Sequence, residues 1–172
     1  DEFAEERRLF APAEEIPDMV KQAFISAEDK NFYTHAGYDP MGMLSAFVDA
    51  VQSRGEDVRG ASTITQQVAK SLLLSSERSI ARKIKDFLLA QKIEKHLTKE
   101  EILFLYLNQV YLGGGYYGVK TAFQGYFGKG LGEATVAEAA MVAGLLVAPG
   151  KYSPYVNPDR AKIRQGYVLK RM

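Results

Sequence analysis

Residues 16–37 read IPDMVKQAFISAEDKNFYTHAG, and the stretch begins as an amphipathic helix. Pro17 suits the first position of a helix. The apolar residues around it recur at helical spacing: Ile16, Met19, Val20, Ala23, Phe24 and Ala27. The pattern predicts a helix that ends near Glu28, which places this carboxylate on the last turn, at the edge of the apolar stripe. Because water solvates a charge poorly there, we expect the proton affinity of Glu28 to be raised towards that of a usable base.

Helix signals also dominate the rest of the chain, whereas strand signals are few and short. Thr98 with Glu101 and Thr135 with Glu138 have the spacing of capping boxes. The segment 139–148 is apolar on every side, which is typical of a helix buried in a core. Helical spacing predicts a further helix at 79–97. Residues 43–51 also look helical, whereas 52–57 look like an exposed polar loop. A last helix would be capped by Asn157 and opened by Pro158. We therefore predict a mainly α fold.

Composition limits the possible partners and cofactors. A chain of 172 residues with 47% hydrophobic content can bury one core, so we predict a single domain over residues 1–172. The net charge is +1, from 22 basic and 21 acidic residues, so nucleic acid is not an expected partner. With no Cys and two His, a resident protein metal centre is not expected. The apolar run 139–150 is shorter than the roughly 18 residues that a spanning helix needs.

Two polar blocks follow the first helix. Residues 60–70, GASTITQQVAK, concentrate hydroxyls and amides that could bind sugar hydroxyls or phosphate oxygens. The same residues also read as a threonine-rich helix cap, and the N-terminus of such a helix would itself favour a phosphate. Further on, Arg82 and Asp86 share one helical turn, with Lys83 beside them. They form either a clamp for an anion or an ordinary surface ion pair.

One glycine-rich segment fits a nucleotide-binding pattern by its letters. Gly113-x-Gly115-x-x-Gly118 has the spacing of a dinucleotide-binding fingerprint. That motif requires a strand before it and a parallel sheet around it, whereas here a helical pattern precedes it. We therefore interpret the segment as a flexible turn.

Together, the polar blocks and the end of the first helix resemble a known family. The resemblance is carried by Glu28-Asp29-x-x-Phe32-x-x-His35-x-Gly37, by Gly60-x-Ser62-Thr63-Ile64-Thr65-Gln66-Gln67, by Arg82-Lys83, and by Pro149-Gly150-Lys151-Tyr152-Ser153-Pro154. These motifs are similar to those of the peptidoglycan glycosyltransferase domain (family 51 type) of class A penicillin-binding proteins and their monofunctional relatives. The resemblance spans residues 16–172. It implies a lysozyme-like globular head with a smaller, mobile lobe that faces the membrane.

The resemblance also implies an activity and roles for individual residues. Such a domain polymerises lipid II into β-1,4-linked glycan strands with inversion and releases undecaprenyl pyrophosphate. Glu28 would be the catalytic base, and Asp29, Phe32 and His35 would shape and polarise its pocket. The positions that the family uses to hold substrate correspond to Thr63, Gln67 and Lys70. Arg82 and Lys83 would join Lys70 in binding the pyrophosphate oxygens.

Asp86 is a departure from the family pattern. It stands where the family usually has its second catalytic glutamate, so it keeps the charge but reaches one methylene less far. It could still orient the cations or help to hold a divalent ion, Mg or Mn, near the pyrophosphate. No cofactor is expected to be obligatory. Ser71 replaces the usual asparagine after the motif lysine, and we assign it no substrate contact.

The resemblance further implies partners and a location. Family members work on the outer, periplasmic face of the bacterial inner membrane, bind lipid II, the growing glycan strand and the membrane surface, and often carry a transpeptidase domain. We expect the start at Asp1 to be that of an excised domain and the native chain to continue. The two polyprenyl-linked substrates predict exposed apolar surface, to which residues 41–51 would contribute.

Two other functions fit part of the pattern. A glycan hydrolase also uses two carboxylates across a saccharide cleft, with water as the acceptor. Its neutral substrate, however, gives the cationic cluster no purpose. A non-catalytic glycan- or lipid-binding module is the other alternative, if Asp86 marks a degenerate site.

Overall fold

The computed structural model describes residues 7–52, 62–73 and 80–172. The chain clusters into two compact units, one formed by residues 1–27 with 107–172 and the other by residues 28–106. The predicted mainly α fold is confirmed. The mobile, membrane-facing lobe and the single functional domain over residues 1–172 stay predictions.

The described residues are mainly helical. The α-helices are, in chain order, α1 (Asp18–Glu28), α2 (Pro40–Gln52), α3 (Ile64–Leu72), α4 (Ile80–His96), α5 (Lys99–Gln109), α6 (Val119–Phe127), α7 (Val136–Gly144), α8 (Pro149–Tyr152) and α9 (Pro158–Arg171). Short 3₁₀ helices cover Ala13–Glu15, Leu131–Glu133 and Leu145–Val147. None of the helices described is long and apolar enough to cross a bilayer.

The unit formed by the two ends of the chain has α7 in its core, packed against α9. The Thr135 hydroxyl accepts a hydrogen bond from the N–H of Glu138, whose carboxylate accepts from the N–H of Thr135 at 2.9 Å. This confirms the predicted capping box. The helix begins at Val136 and ends at Gly144, earlier than the predicted end at residue 148, because the chain tightens into the 3₁₀ helix Leu145–Val147.

The glycine-rich segment of the same unit contributes one strand to a small parallel sheet. Its strands are β1 (Arg7–Arg8) and β2 (Tyr116–Tyr117), with Arg7 opposite Tyr116. The predicted turn is present, and it leads into the two-residue strand β2. Gly118 has φ +81°, and a Cβ there would lie 2.7 Å from the carbonyl oxygen of Asn108, so only glycine fits.

The start of α9 corrects one sequence prediction. Pro158 occupies the first turn, as predicted, but the side chain of Asn157 makes no capping hydrogen bond. Its amide donates instead to the carbonyl of Lys151, at 3.2 Å. The asparagine side chain therefore fixes the preceding loop and not the N-terminus of the helix.

In the unit of residues 28–106, α3 packs against α4. Thr63 and Gln66 form a capping box at the start of α3, and Thr98 with Glu101 forms the predicted one at the start of α5. Gly60 and Ala61, which open the second motif, lie outside the described residues. Among the side chains of α2 that the structure describes, the exposed large apolar ones are Met41, Leu44, Val48 and Val51, as expected for this segment.

Candidate active site

Glu28 is the last residue of α1 and is only 7% exposed. The Nε2 group of Gln67, on α3, donates a hydrogen bond to its Oε2 at 3.0 Å. The carboxylate is therefore withdrawn from bulk solvent and oriented by an amide. A buried carboxylate in a fixed orientation is the arrangement that a general base requires.

Asp29 is also buried and is held by two donors. His35 approaches it through Nε2, at 3.0 Å from Oδ1 and 2.9 Å from Oδ2. The backbone N–H of Ile64, in the first turn of α3, donates to Oδ2 at 2.9 Å. Helix N-termini favour negative charge, so the position suits an ionised carboxylate.

The tautomer of His35 follows from its two neighbours. The N–H of Gly37 donates to Nδ1 at 3.0 Å, so Nδ1 is an acceptor and carries no proton. The proton is therefore on Nε2, which donates to Asp29. In this arrangement the imidazole is a neutral donor that orients Asp29.

Phe32 is fully buried and lies edge-on to the imidazole of His35, with ring centroids 6.1 Å apart. It packs against the histidine ring. Tyr33 beside it is exposed, and its hydroxyl donates to Glu100 at 2.9 Å. Phe32 thus contributes a water-excluding wall, and its predicted contact with substrate stays a prediction.

The second motif is used mainly for internal bonds. The hydroxyl of Thr63 donates to the carbonyl of Gly37 at 3.0 Å and accepts from the N–H of Gln66 at 3.1 Å. The hydroxyl of Thr65 donates to Glu94 at 2.5 Å. The hydroxyls of Thr63 and Thr65 therefore connect this helix start to its surroundings, and the side-chain oxygen of Gln66 accepts from the N–H of Thr63 within the capping box. The side chain of Gln67, in contrast, contacts Glu28.

Tyr106 adds a neutral phenol beside the carboxylates. Burial raises its pKa well above 10, and the negative charges of Glu28 and Asp29 raise it further. The hydroxyl therefore stays protonated at any physiological pH. Sequence reasoning did not assign this residue to the site.

A cavity of about 290 Å³ opens beside the two carboxylates. Its lining residues are Glu28, Asp29, Lys30, Asn31, Asp39, Met41, Gly42, Met43, Ser45, Ser62 and Thr63. Asp39 accepts from the Asn31 amide and from the N–H of Gly42, both at 2.8 Å, which fixes the entry to α2. At about 30 Å³ per water, the volume corresponds to about ten water molecules, enough for a sugar ring.

The predicted cations lie on the two helices that pack together. Lys70 is exposed in the last turn of α3, and Lys83 is exposed on α4. Asp86 is half-buried on α4, and the side chain of Arg82 lies outside the described part of the chain. Among the described residues, no cluster of three or more His, Cys, Asp or Glu could hold a metal ion.

Two residues near the site were not assigned by sequence reasoning. The carboxylate of Glu94 accepts hydrogen bonds from the hydroxyl of Thr65 and from the ammonium of Lys99. Lys99 opens α5, where the positive end of the helix dipole disfavours a cation. A lysine in that position indicates a tertiary partner, and this feature of the sequence could have identified Lys99 as a residue near the site.

Comparison with known proteins identifies the family. The transglycosylase family model matches residues 1–172. Penicillin-binding protein 1A of Neisseria flavescens is 52% identical over 170 residues, which cover 99% of this chain and 21% of that protein. Penicillin-binding protein 1A of Aquifex aeolicus is 48% identical over 167 residues, which cover 97% of this chain and 23% of that protein.

A solved structure agrees with these matches. The crystal structure of penicillin-binding protein 1A from Haemophilus influenzae superposes with a TM-score of 0.54 at 26% identity, covering 97% of this chain and 15% of the other. The chain spans about a fifth of the length of the curated relatives it matches. The family indicated by the motifs is confirmed: the chain belongs to the transglycosylase family.

Proposed function

We propose that this chain is a peptidoglycan glycosyltransferase that polymerises lipid II into β-1,4-linked glycan strands. Membership of the transglycosylase family supports the reaction class. The observation that carries the proposal is the buried carboxylate of Glu28, held by Gln67 and facing a polar cavity. This pairing supplies a base and a space for the hydroxyl that it activates.

The proposed reaction is a single displacement. Glu28 takes the proton from the C4 hydroxyl of the acceptor's N-acetylglucosamine. That oxygen bonds to the anomeric carbon of the donor's N-acetylmuramic acid as the bond to pyrophosphate breaks. The electron pair leaves with undecaprenyl pyrophosphate, and the α-linkage becomes β. Asp29 and His35 fix the backbone next to the base, and Phe32 excludes water from it.

The leaving group needs positive charge. Lys70, Arg82 and Lys83 are proposed to bind the pyrophosphate oxygens, the arginine through two parallel hydrogen bonds. Asp86 would orient these cations or act as the protein ligand of Mg²⁺ or Mn²⁺. Magnesium often binds through one or two carboxylates together with substrate phosphates, so a single aspartate fits. Such an ion would neutralise the charge that develops on the pyrophosphate.

The same proposal includes a place and partners. The chain would act at the outer face of the bacterial inner membrane on lipid II and the growing glycan strand. The exposed apolar side chains of α2 would face the bilayer or the polyprenyl chains. The relatives named above are penicillin-binding proteins, which supports a transpeptidase domain in the full chain.

A glycan hydrolase remains the second candidate, because a buried carboxylate beside a saccharide-sized cavity also suits hydrolysis. The lysines of α3 and α4 favour the transferase, since a neutral glycosidic bond releases no anionic group for them to stabilise.

Incubating the protein with lipid II and, separately, with finished glycan distinguishes the two. We expect long strands from lipid II and no shortening of glycan. Glu28→Gln keeps the shape but removes the base, so strand formation should fall by about 10²–10⁴-fold. Glu14→Gln, at an exposed position, is the matched control and should keep wild-type activity. Glycan shortening, or a Glu28→Gln variant of unchanged activity, would contradict the proposal.

A further inference from the structure

Downstream of Glu28 and Asp29, the backbone carbonyl groups of three consecutive residues each accept a hydrogen bond from a different side chain. Lys99 donates to the carbonyl of His35 at 2.7 Å. Gln91 donates to that of Ala36 at 2.6 Å, and Thr63 to that of Gly37 at 3.0 Å. We call these three donors the carbonyl clamp. They come from α5, α4 and the cap of α3, so the loop 29–37 is fixed from three sides.

Lys99 is the charged member of the carbonyl clamp. Its ammonium also lies 2.7 Å from Oε1 of Glu94 and 4.6 Å from the ring centroid of Phe32. The lysine side chain is 19% exposed and the glutamate side chain 8%. The same glutamate oxygen accepts from Thr65, so the pair is fixed at both ends. A charge-assisted hydrogen bond to a carbonyl is stronger than a neutral one, which makes Lys99 the firmest of the three anchors.

The loop also has no room to shift towards α4. Gly37 has φ +85°, and a Cβ there would lie 3.1 Å from both the carbonyl oxygen of Ala90 and the Cγ of Glu94. The backbone is therefore pressed against the helix that carries Glu94. The N–H of Gly37 donates to Nδ1 of His35, so the position of this backbone determines that the ring proton is on Nε2, the nitrogen that faces Asp29.

We propose that Lys99, held by Glu94, is a positioning residue for the reaction, an inference that rests on the proposed function. It fixes the His35 carbonyl, which keeps Gly37 N–H on Nδ1 and Nε2–H on Asp29. Asp29 directly follows Glu28, so the same anchor sets the orientation of the base. Without the ammonium, the loop still contains His35, but its backbone is no longer fixed in the position that orients His35 and Asp29.

Lys99→Met tests this, because it keeps a long apolar side chain and removes the ammonium. We expect kcat for lipid II polymerisation to fall by about 10–100-fold, with KM changed little, because small misplacements of reacting groups carry costs of that size. The ¹⁵N resonances of the His35 ring should change from a single Nε2–H tautomer to a mixture. Lys99→Arg should recover most of the activity. Lys95→Met, at an exposed position of α4, is the matched control.

A folded Lys99→Met protein with wild-type kcat and wild-type His35 resonances would overturn the inference. So would a loss of activity that only matches the loss of folded protein. If Lys99→Met does not fold, because Glu94 is left as a buried unpaired charge, Glu94→Gln with Lys99→Met removes both charges. That double variant should show the same loss of kcat, and wild-type kcat in it would also overturn the inference. The histidine resonances need no substrate, so failure of the wild type to polymerise lipid II would count against the proposed function alone.

Discussion

The Nε2 group of Gln67, an amide, donates a hydrogen bond to Glu28 Oε2 at 3.0 Å. An amide can orient a carboxylate without neutralising it, and the carboxylate stays available to accept a proton. The sequence placed Gln67 among substrate-holding residues. The structure gives it a contact with the base, and its contact with substrate stays a prediction.

Substitution of Gln67 should therefore reduce turnover more than binding. Gln67→Ala removes the donor, and we expect kcat to fall by about tenfold as the orientation of Glu28 loosens. Gln67→Glu has nearly the same shape but places a second carboxylate against Glu28, so we expect a loss of about 100-fold. Steady-state polymerisation kinetics measure both. Gln124→Ala, at an exposed position of α6, is the control, and equal activity of the two Gln67 variants would contradict the argument.

His35 and Asp29 show a limit of sequence reasoning at this scale. The spacing Asp29-x-x-Phe32-x-x-His35-x-Gly37 indicated a shared pocket. The protonated nitrogen of the histidine depends on the backbone N–H of Gly37, whose direction is set by a positive φ and by contacts with α4. No local pattern encodes those contacts.

At the scale of elements, helix starts are the best-specified features. The boxes of Thr98 with Glu101 and Thr135 with Glu138 were predicted from spacing alone and are confirmed, because both partners lie within one turn. Helix ends were less predictable. α7 stops at Gly144, although the apolar pattern continues. One helix start was also predicted wrongly, because the side chain of Asn157 bonds to the Lys151 carbonyl and does not cap the start of α9. In both cases contacts beyond the helix decide.

Loss of the α7 cap should destabilise its unit by a measurable amount. Thr135→Ala removes the hydroxyl that caps a largely buried helix, and we expect the free energy of unfolding to fall by about 1 kcal/mol. Urea denaturation of Thr135→Ala and of the capping-competent Thr135→Ser checks this. An equal loss in both variants would show that packing of the threonine methyl, not the cap, is responsible.

The same cap has an acid-sensitive component. The hydrogen bond from Lys129 lowers the pKa of Glu138, and the backbone N–H of Thr135 lowers it further. A pKa that is lower in the folded state contributes stability above the usual value of 4.5, and this contribution is lost as the pH falls below it. The contribution of Thr135 should therefore be measured at neutral pH.

At the scale of the whole molecule, we expect the stability at alkaline pH to depend on the half-buried phenol of Tyr126. In the unit of the chain ends, burial raises the pKa of Tyr126 to about 12, and the neighbouring phenols of Tyr116, Tyr111 and Tyr155 add to the effect. Its hydroxyl donates to the carbonyl of Leu112 at 2.8 Å. A folded pKa above the unfolded value of 10 gives stability that is complete below pH 10 and is lost as the pH rises to about 12.

The free energy of unfolding should accordingly decrease between pH 10 and pH 12. Because Tyr126 is half-buried, solvent screening limits its share of that decrease to about 1 kcal/mol. Urea denaturation across this range, with tyrosinate absorbance recorded in parallel, measures the effect. Tyr126→Phe should remove one late-titrating phenol and flatten the decrease. An unchanged pH dependence in Tyr126→Phe would contradict the assignment.

The sequence by itself determined the helical class, most helix starts, the family and the position of Glu28 at the end of α1. These features depend on residues close together in the chain, whose periodicity and caps act through local geometry. Only the tertiary structure decided that Gln67 orients Glu28 and that Gly37 sets the tautomer of His35. It also decided that Lys99, held by Glu94, fixes the loop 29–37. The bonds from Gln67 to Glu28 and from Lys99 to His35 join residues dozens of positions apart, and these partners become neighbours only when α3, α4 and α5 pack around the loop 29–37.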